Sequence, residues 1–260
     1  MLHHEISGNG KKPLVLLHGF MENTTIWDEM EAHLSKDFTL IKIDLPGHGK
    51  SKVYQEIHTV ELMAEKVKEV IDALKLEKIN LLGHSLGGYV SLAFAEKFPE
   101  ILESMTLFFS TTVADDEEKK AIRKRSIAVI DENFETFVKT SIPNLFSNNE
   151  KDILEGKIEL AKNIAKSTNK EGVKAAQLGM AERPDRTEIL ENLDAKILII
   201  AGKYDNAVKT ENLLKTIPEK TNIKTYVLDC GHNGHWEKPT ICAEIINTEL
   251  FHNLPKHFLL

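Results

Sequence analysis

The apolar run Ile79-Asn80-Leu81-Leu82 ends at Gly83-His84-Ser85-Leu86-Gly87-Gly88, and a helix-compatible stretch from Tyr89 to Ala95 follows at once. This junction restricts the fold more than any other segment. Gly83 to Gly87 fits Gly-x-Ser-x-Gly, the nucleophile elbow. A serine on so tight a strand-to-helix turn is strained, with its oxygen exposed. Flanking side chains would collide there, so the positions two away on either side are glycine. The turn aims the Leu86 N–H and the helix N-terminus at the place where an oxyanion would form. The pentapeptide alone also fits a glycine-rich turn of any α/β protein. Its position between an apolar strand and a helix favours the elbow.

The rest of the chain supplies matching elements. Leu14-Val15-Leu16-Leu17 is a continuous apolar run closed by His18-Gly19, as expected for a strand buried on both faces of a parallel sheet. Trp27 to Leu34 reads as a short helix and Phe38 to Ile43 as the next strand. Val60, Met63, Val67, Val70 and Leu74 repeat at helical spacing behind Thr59, a candidate N-cap. After the elbow helix, which Pro99 terminates, Met105 to Phe109 is a further strand. Alternating strands and helices in this order predict an α/β fold with a doubly wound, mostly parallel sheet.

From Val113 the pattern changes. Asp115-Asp116-Glu117-Glu118-Lys119-Lys120 reads as a solvated first helical turn, and three helical segments follow before strand character returns at Lys196. The expected organisation is a core of residues 1–112 and 191–260, interrupted by a helical cap over 113–190. Lys196 to Gly202 and Ile223 to Leu228 are the remaining strands. A helix reaching Pro218 lies between them, and another over Thr240 to Leu250 closes the chain.

Composition excludes several roles. The net charge is −7 and no long basic cluster occurs, which argues against nucleic acid. No run reaches the roughly 18 apolar residues of a membrane span. Met1 to Glu5 lacks the apolar region of a signal peptide, and two cysteines, Cys230 and Cys242, do not make a disulfide framework. The expected compartment is a reducing cytoplasm. No Cys-x-x-Cys or His-x-x-x-His pair with a glutamate is present, so neither a metal nor a cofactor is expected. Gly47-His48-Gly49-Lys50-Ser51 lacks phosphate-loop spacing.

A serine hydroxyl needs a base, and the base needs an orienting partner. Ser85 is followed by Asp205 at the end of one strand and His232 after the next, in loops at the carboxyl edge where ligands bind such sheets. Asp194 would lie at the opposite edge, and Asp229 stands close to His232 in sequence; Asp205 is preferred because its turn can carry it across to the histidine. His235, next to Trp236, is the alternative to His232 and reads as pocket wall or packed residue. The second oxyanion donor is expected from the Phe20 N–H, with Gly19 allowing close approach and the Phe20 ring lining the pocket. His18 and His84 lie near the centre, where hydrogen bonds to loop backbone are their simpler role. Cys230 reads as a small buried residue. His84, Phe137, Met180 and Tyr204 are the remaining candidates for contact with substrate, alongside Phe20; plain core is the competing reading for Phe137 and Met180.

Taken together, Leu16 to Phe20, Asp44 to Ser51, Gly83 to Gly88, Ile200 to Asp205 and Gly231-His232 with Glu237-Lys238-Pro239 resemble the α/β-hydrolase fold superfamily in both content and order. The resemblance implies an eight-stranded type of sheet, a Ser85–His232–Asp205 triad and a helical cap that ends near Arg183-Pro184-Asp185-Arg186-Thr187. It leaves open whether the first strand is present, since only Leu2 to Ser7 precedes Gly8-Asn9-Gly10. Serine at the elbow argues against haloalkane dehalogenases and the similar epoxide hydrolases, which carry aspartate. The leading expectation is hydrolysis of a carboxylic ester of a small to medium apolar acyl substrate. The same triad acting on another bond is the second: C–C, thioester or amide hydrolysis, or perhydrolysis. The third is a ligand-binding or signalling member of the superfamily. Oligomeric state is not legible.

Overall fold

In the computed structural model, which describes residues 1–251, seven strands form one sheet. They are β1 (His4–Ser7), β2 (Lys12–Leu17), β3 (Phe38–Ile43), β4 (Ile79–His84), β5 (Leu102–Phe108), β6 (Lys196–Gly202) and β7 (Ile223–Leu228). Their spatial order is β1-β3-β2-β4-β5-β6-β7. β1 pairs antiparallel to β3, and every other pairing is parallel. The N-terminal segment contributes the single strand β1, one fewer than the eight-stranded type implies. Gly8, at φ +78°, turns the chain, and Asn9 and Gly10 donate to Ser35 and Phe38 carbonyls instead of extending a hairpin.

Strand composition follows from burial on both faces. Val15 and Leu17 of β2 pack on one side with Leu81, Met105, Ile197 and Ile199. Leu14 and Leu16 pack on the other with Leu82, Phe108, Leu198 and Ile200. With no polar face to maintain, these strands read as unbroken apolar runs. β7, at the sheet edge, is half exposed and alternates.

The first face is covered by the helices over Val60–Ala73 and Leu86–Lys97, the second by those over Asp28–Leu34 and Pro239–Ile246. α1 spans Asp28–Leu34, α2 Val60–Ala73 and α3 Leu86–Lys97. Thr59 caps α2 by accepting from the Leu62 N–H, and Val60, Met63, Val67 and Val70 face the core. α3 is buried on all sides along Leu86 to Ala95, as its lack of a polar face requires.

Between β5 and β6 the chain forms α4 (Glu117–Ser141), α5 (Glu155–Ser167) and α6 (Lys170–Glu182). α4 is the longest of the three, at 25 residues. Asn133 breaks its helical dihedrals, and the Asn133 Oδ1 then accepts from the Thr136 N–H, so the second half is capped anew. Asp115 departs from the solvated reading of the charge run. It is buried between Arg123 and Arg183, while Asp116 caps α4 and Glu117 and Glu118 are exposed. The ends of the insertion are pinned together: Arg183 donates to the Val113 carbonyl and the Arg186 N–H to that of Thr112. Arg186 also pairs with Glu61 of α2 and Glu96 of α3.

α7 (Glu188–Asn192) leads into β6, and α8 (Thr210–Leu214) follows it. α8 stops short of Pro218, which disfavours helical dihedrals at Ile217. α9 (Gly234–Glu237) and α10 (Pro239–Ile246) close the fold, and Asn247–Phe251 widens into a π-helical turn. Among the described residues, no helix is long and apolar enough to cross a membrane.

Candidate active site

β4 delivers Ser85 at the carboxyl edge of the sheet. Its backbone stands at φ +49°, ψ −110°, outside the regions open to an ordinary L-residue. The conformation is held from both sides: the Ser85 N–H donates to the Phe108 carbonyl, and the Ser85 carbonyl accepts from the Ser110 hydroxyl at 2.8 Å. The glycines permit the close approach. A Cβ on Gly87 would stand 2.3 Å from the Leu17 carbonyl oxygen, and one on Gly83 2.2 Å from that of Gly87.

Leu86 is the first residue of α3, so its N–H has no helical acceptor. The Phe20 N–H, in the loop after β2, likewise donates to no atom of the described residues. Met21, the next residue, is at φ +59°, a conformation the sequence did not announce because no glycine stands there.

The turn after β6 carries Asp205, which is buried. Its Oδ1 accepts from the Ala207 and Val208 N–H groups, both at 2.8 Å, and its Oδ2 from His232 Nδ1 at 2.7 Å. Burial opposes a charge on His232, but the Asp205 carboxylate outweighs it, and the imidazole pKa is raised above its ordinary value. With Nδ1 engaged, Nε2 is the nitrogen left for proton transfer. The His232 backbone is fixed as well: its N–H donates to the Leu145 carbonyl, and Glu237 accepts from the N–H groups on either side of it, Gly231 and Asn233. Glu237 also accepts from Ser147 of the insertion.

Ser85 and His232 open onto one cavity of about 700 Å³ between the sheet edge and the helical insertion. No hydrogen bond joins the Ser85 Oγ to the His232 ring. Phe20, His84, Phe137 and Met180 line the cavity. Tyr204 does not. The turn that brings Asp205 inward faces its neighbour outward, and Tyr204 is 37% exposed with the Lys203 ammonium over its ring.

The competing residues lie elsewhere. Asp229 is on the surface with Lys203, and His235 is fully buried among Trp27, Phe108 and Trp236. His18 donates to the Gly19 carbonyl and accepts from the Leu45 N–H. Cys230 and Cys242 are free and buried; burial pushes both thiols up, Cys242 to about 12. Neither offers a thiolate nucleophile.

Glu22, which the sequence did not single out, is a buried carboxylate at the floor of the cavity. Burial would raise its pKa, but His84 beside it outweighs this and holds it at about 2. Glu22, His84 and His235 each bring one potential ligand atom within 4.8 Å of the others. Glu22 Oε2 is already committed to the Gly19 N–H at 2.6 Å and His84 Nδ1 at 2.8 Å, so a hydrogen-bonded cluster describes the trio as it stands. Spacing motifs could not reveal it, because Glu22 and His84 are 62 residues apart.

Comparison with known proteins places the fold in a family. Residues 12–239 match the model of the alpha/beta hydrolase fold family. A putative 2-succinyl-6-hydroxy-2,4-cyclohexadiene-1-carboxylate synthase of Bacillus subtilis is 28% identical over 92% of this chain and 90% of its own. A 2-hydroxy-6-oxononadienedioate/2-hydroxy-6-oxononatrienedioate hydrolase of Escherichia coli is 27% identical over 91% and 86%. A further match, 34% identical, is to a Mycobacterium tuberculosis protein, of whose length the chain spans 32%. Among solved structures, a thermophilic esterase from Thermogutta terrifontis superposes with a TM-score of 0.88 at 33% identity, covering 95% of this chain and 91% of that one. The chain belongs to the alpha/beta hydrolase fold family.

Proposed function

We propose that this protein is a serine hydrolase that cleaves a carboxylic ester of a small to medium apolar substrate through an acyl-enzyme. The observation that carries this reading is the convergence on one cavity of a strained Ser85 and a His232 whose other nitrogen is held by Asp205. The Ser85 Oγ attacks the acyl carbonyl while His232 Nε2 takes its proton. Asp205 keeps the tautomer and stabilises the imidazolium. The N–H groups of Phe20 and Leu86 receive the oxyanion, and His232 returns the proton to the departing alcohol. Water then attacks the acyl-enzyme with His232 again as base. The helical insertion, residues 113–190, serves as the lid of the cavity, with Phe137 and Met180 on its substrate side. The likeness to an esterase at 33% identity supports the choice of bond. The two buried thiols suit a reducing compartment, and we place the enzyme in the cytoplasm.

A second reading keeps the triad and changes the bond to C–C. The E. coli relative, a 2-hydroxy-6-oxononadienedioate/2-hydroxy-6-oxononatrienedioate hydrolase aligned over most of both chains, favours it. Steady-state kinetics on p-nitrophenyl esters of increasing acyl length, with Ser85→Ala as control, separate the two. Ester hydrolysis requires saturable turnover that the substitution abolishes. Absence of turnover across the series, with turnover of a vinylogous 1,5-diketone, would select the C–C reading.

A further inference from the structure

Three parts of the site that come from distant places in the chain meet on one side-chain pair. Glu22 Oε2 accepts from the Gly19 N–H, in the loop that carries Phe20. The same carboxylate faces His84 Nδ1 at 2.8 Å, and His84 immediately precedes Ser85. The other nitrogen, His84 Nε2, lies 3.1 Å from the His232 carbonyl oxygen. A carbonyl oxygen only accepts, so His84 Nε2 carries a proton. An ionised Glu22 also only accepts, so Nδ1 then carries one too. Both side chains are buried, His84 at 1% and Glu22 at 9% side-chain exposure.

We propose that Glu22 and His84 form a buried carboxylate–imidazolium pair that positions the catalytic machinery, tying the oxyanion loop at Gly19 to the backbone of His232 across the residue before the nucleophile. The low pKa of Glu22 agrees with the ionised form. The groups facing the pair are consistent with it. His235 Nε2 stands 3.7 Å from Glu22 Oε1, burial holds His235 neutral, and His18 and His232 are the other titratable rings nearby. The packing leaves the pair no freedom: a Cβ on Gly19 would stand 2.6 Å from Glu22 Oε2 and 2.7 Å from His84 Nδ1. Neither residue exchanges a proton with substrate. They set the distance between the oxyanion donor at Phe20 and the base at His232, which must hold to a fraction of an ångström for both to act on one acyl group.

The positioning role rests on the esterase reading above; the charge state of the pair does not. The test therefore has two readouts. In ¹⁵N-labelled wild-type protein at neutral pH, both ring nitrogens of His84 should carry protons. In Glu22→Gln the ring should become neutral and carry a single proton, because an amide supplies no charge to hold a second one. Glu22→Gln can keep only one of the two bonds that Glu22 Oε2 accepts, from the Gly19 N–H or from His84 Nδ1, so its kcat on p-nitrophenyl acetate should fall between those of wild type and Glu22→Leu. Glu22→Leu leaves the Gly19 N–H unpaired and should lower kcat at least 30-fold with KM within threefold. A wild-type His84 ring carrying a single proton overturns the pair, and a Glu22→Leu enzyme within threefold of wild-type kcat overturns the positioning role. Should Glu22→Leu not fold, Gly19→Ala, which displaces the same contact, takes its place with the same expected loss and the same overturning result. A wild-type enzyme without ester turnover would refute the esterase reading, and the ring pattern would still decide the pair.

Discussion

His232 Nδ1 donates to Asp205 Oδ2 across 2.7 Å, although the two residues stand 27 positions apart on turns after different strands. The parallel register of β6 and β7, which sets Gly202 beside Leu228, brings those turns to one edge. Asp205→Asn should lower kcat by about 10²–10⁴-fold, because the amide favours the wrong tautomer. The sign of the pH effect follows from the raised pKa of His232. The base works only when neutral, so wild-type kcat/KM should fall as pH drops through a value above that of a free histidine. In Asp205→Asn that acid limb should move to lower pH. Profiles between pH 5 and 9 would show it, and an unmoved limb would argue against Asp205 as the partner.

The elbow can be tested without touching a reactive group. Gly87→Ala places a methyl against the Leu17 and His18 carbonyl oxygens, at 2.3 and 2.8 Å, and neither backbone can yield cheaply. Overpacking of this kind costs about 1–3 kcal/mol. The substitution should lower the unfolding free energy measured in urea by that amount and displace Ser85, so that the surviving folded protein is also less active.

Substrate size should respond to the cavity wall. Met180 lines the cavity from α6, on the side of the insertion. Met180→Ala should raise kcat/KM for octanoate relative to acetate esters by about tenfold, the worth of a few newly accommodated methylenes. An unchanged chain-length profile would remove Met180 from the acyl pocket.

Asp115 joins Arg123 and Arg183 where the insertion leaves the sheet. Burial would raise its pKa, but the two guanidiniums outweigh this and lower it. Removing one partner of a buried ion pair costs about 3–5 kcal/mol, so Asp115→Ala should be strongly destabilising. A depressed carboxyl pKa stabilises the fold above the unfolded value and loses that contribution as pH falls through the folded one. The gap in Tm between wild type and Asp115→Ala should therefore narrow below about pH 4, near the ordinary carboxyl value.

Much of this site was legible in the sequence because its residues stand at strand ends. Apolar runs located β2, β4 and β6, and whatever follows such a run falls at the same sheet edge, which is how Phe20, Ser85 and Asp205 could be placed before any contact was known. Legibility stopped where direction within a turn mattered. Tyr204 and Asp205 are adjacent, yet one faces solvent and the other the histidine. It stopped also where burial of charge depends on distant partners. Glu22 is an ordinary loop glutamate until His84 meets it, and Asp115 is one of four acidic residues in a row until Arg183 arrives from beyond α6. The strained dihedrals at Met21 and Phe109 left no glycine to mark them.

The central claim is that Ser85 is the nucleophile of an acyl-transfer site. Labelling the intact protein with a fluorophosphonate, followed by peptide mapping, tests it most directly. The account predicts one modified residue, Ser85, with labelling abolished in Ser85→Ala and greatly slowed in His232→Ala. Modification at another residue, or none at all, would contradict it.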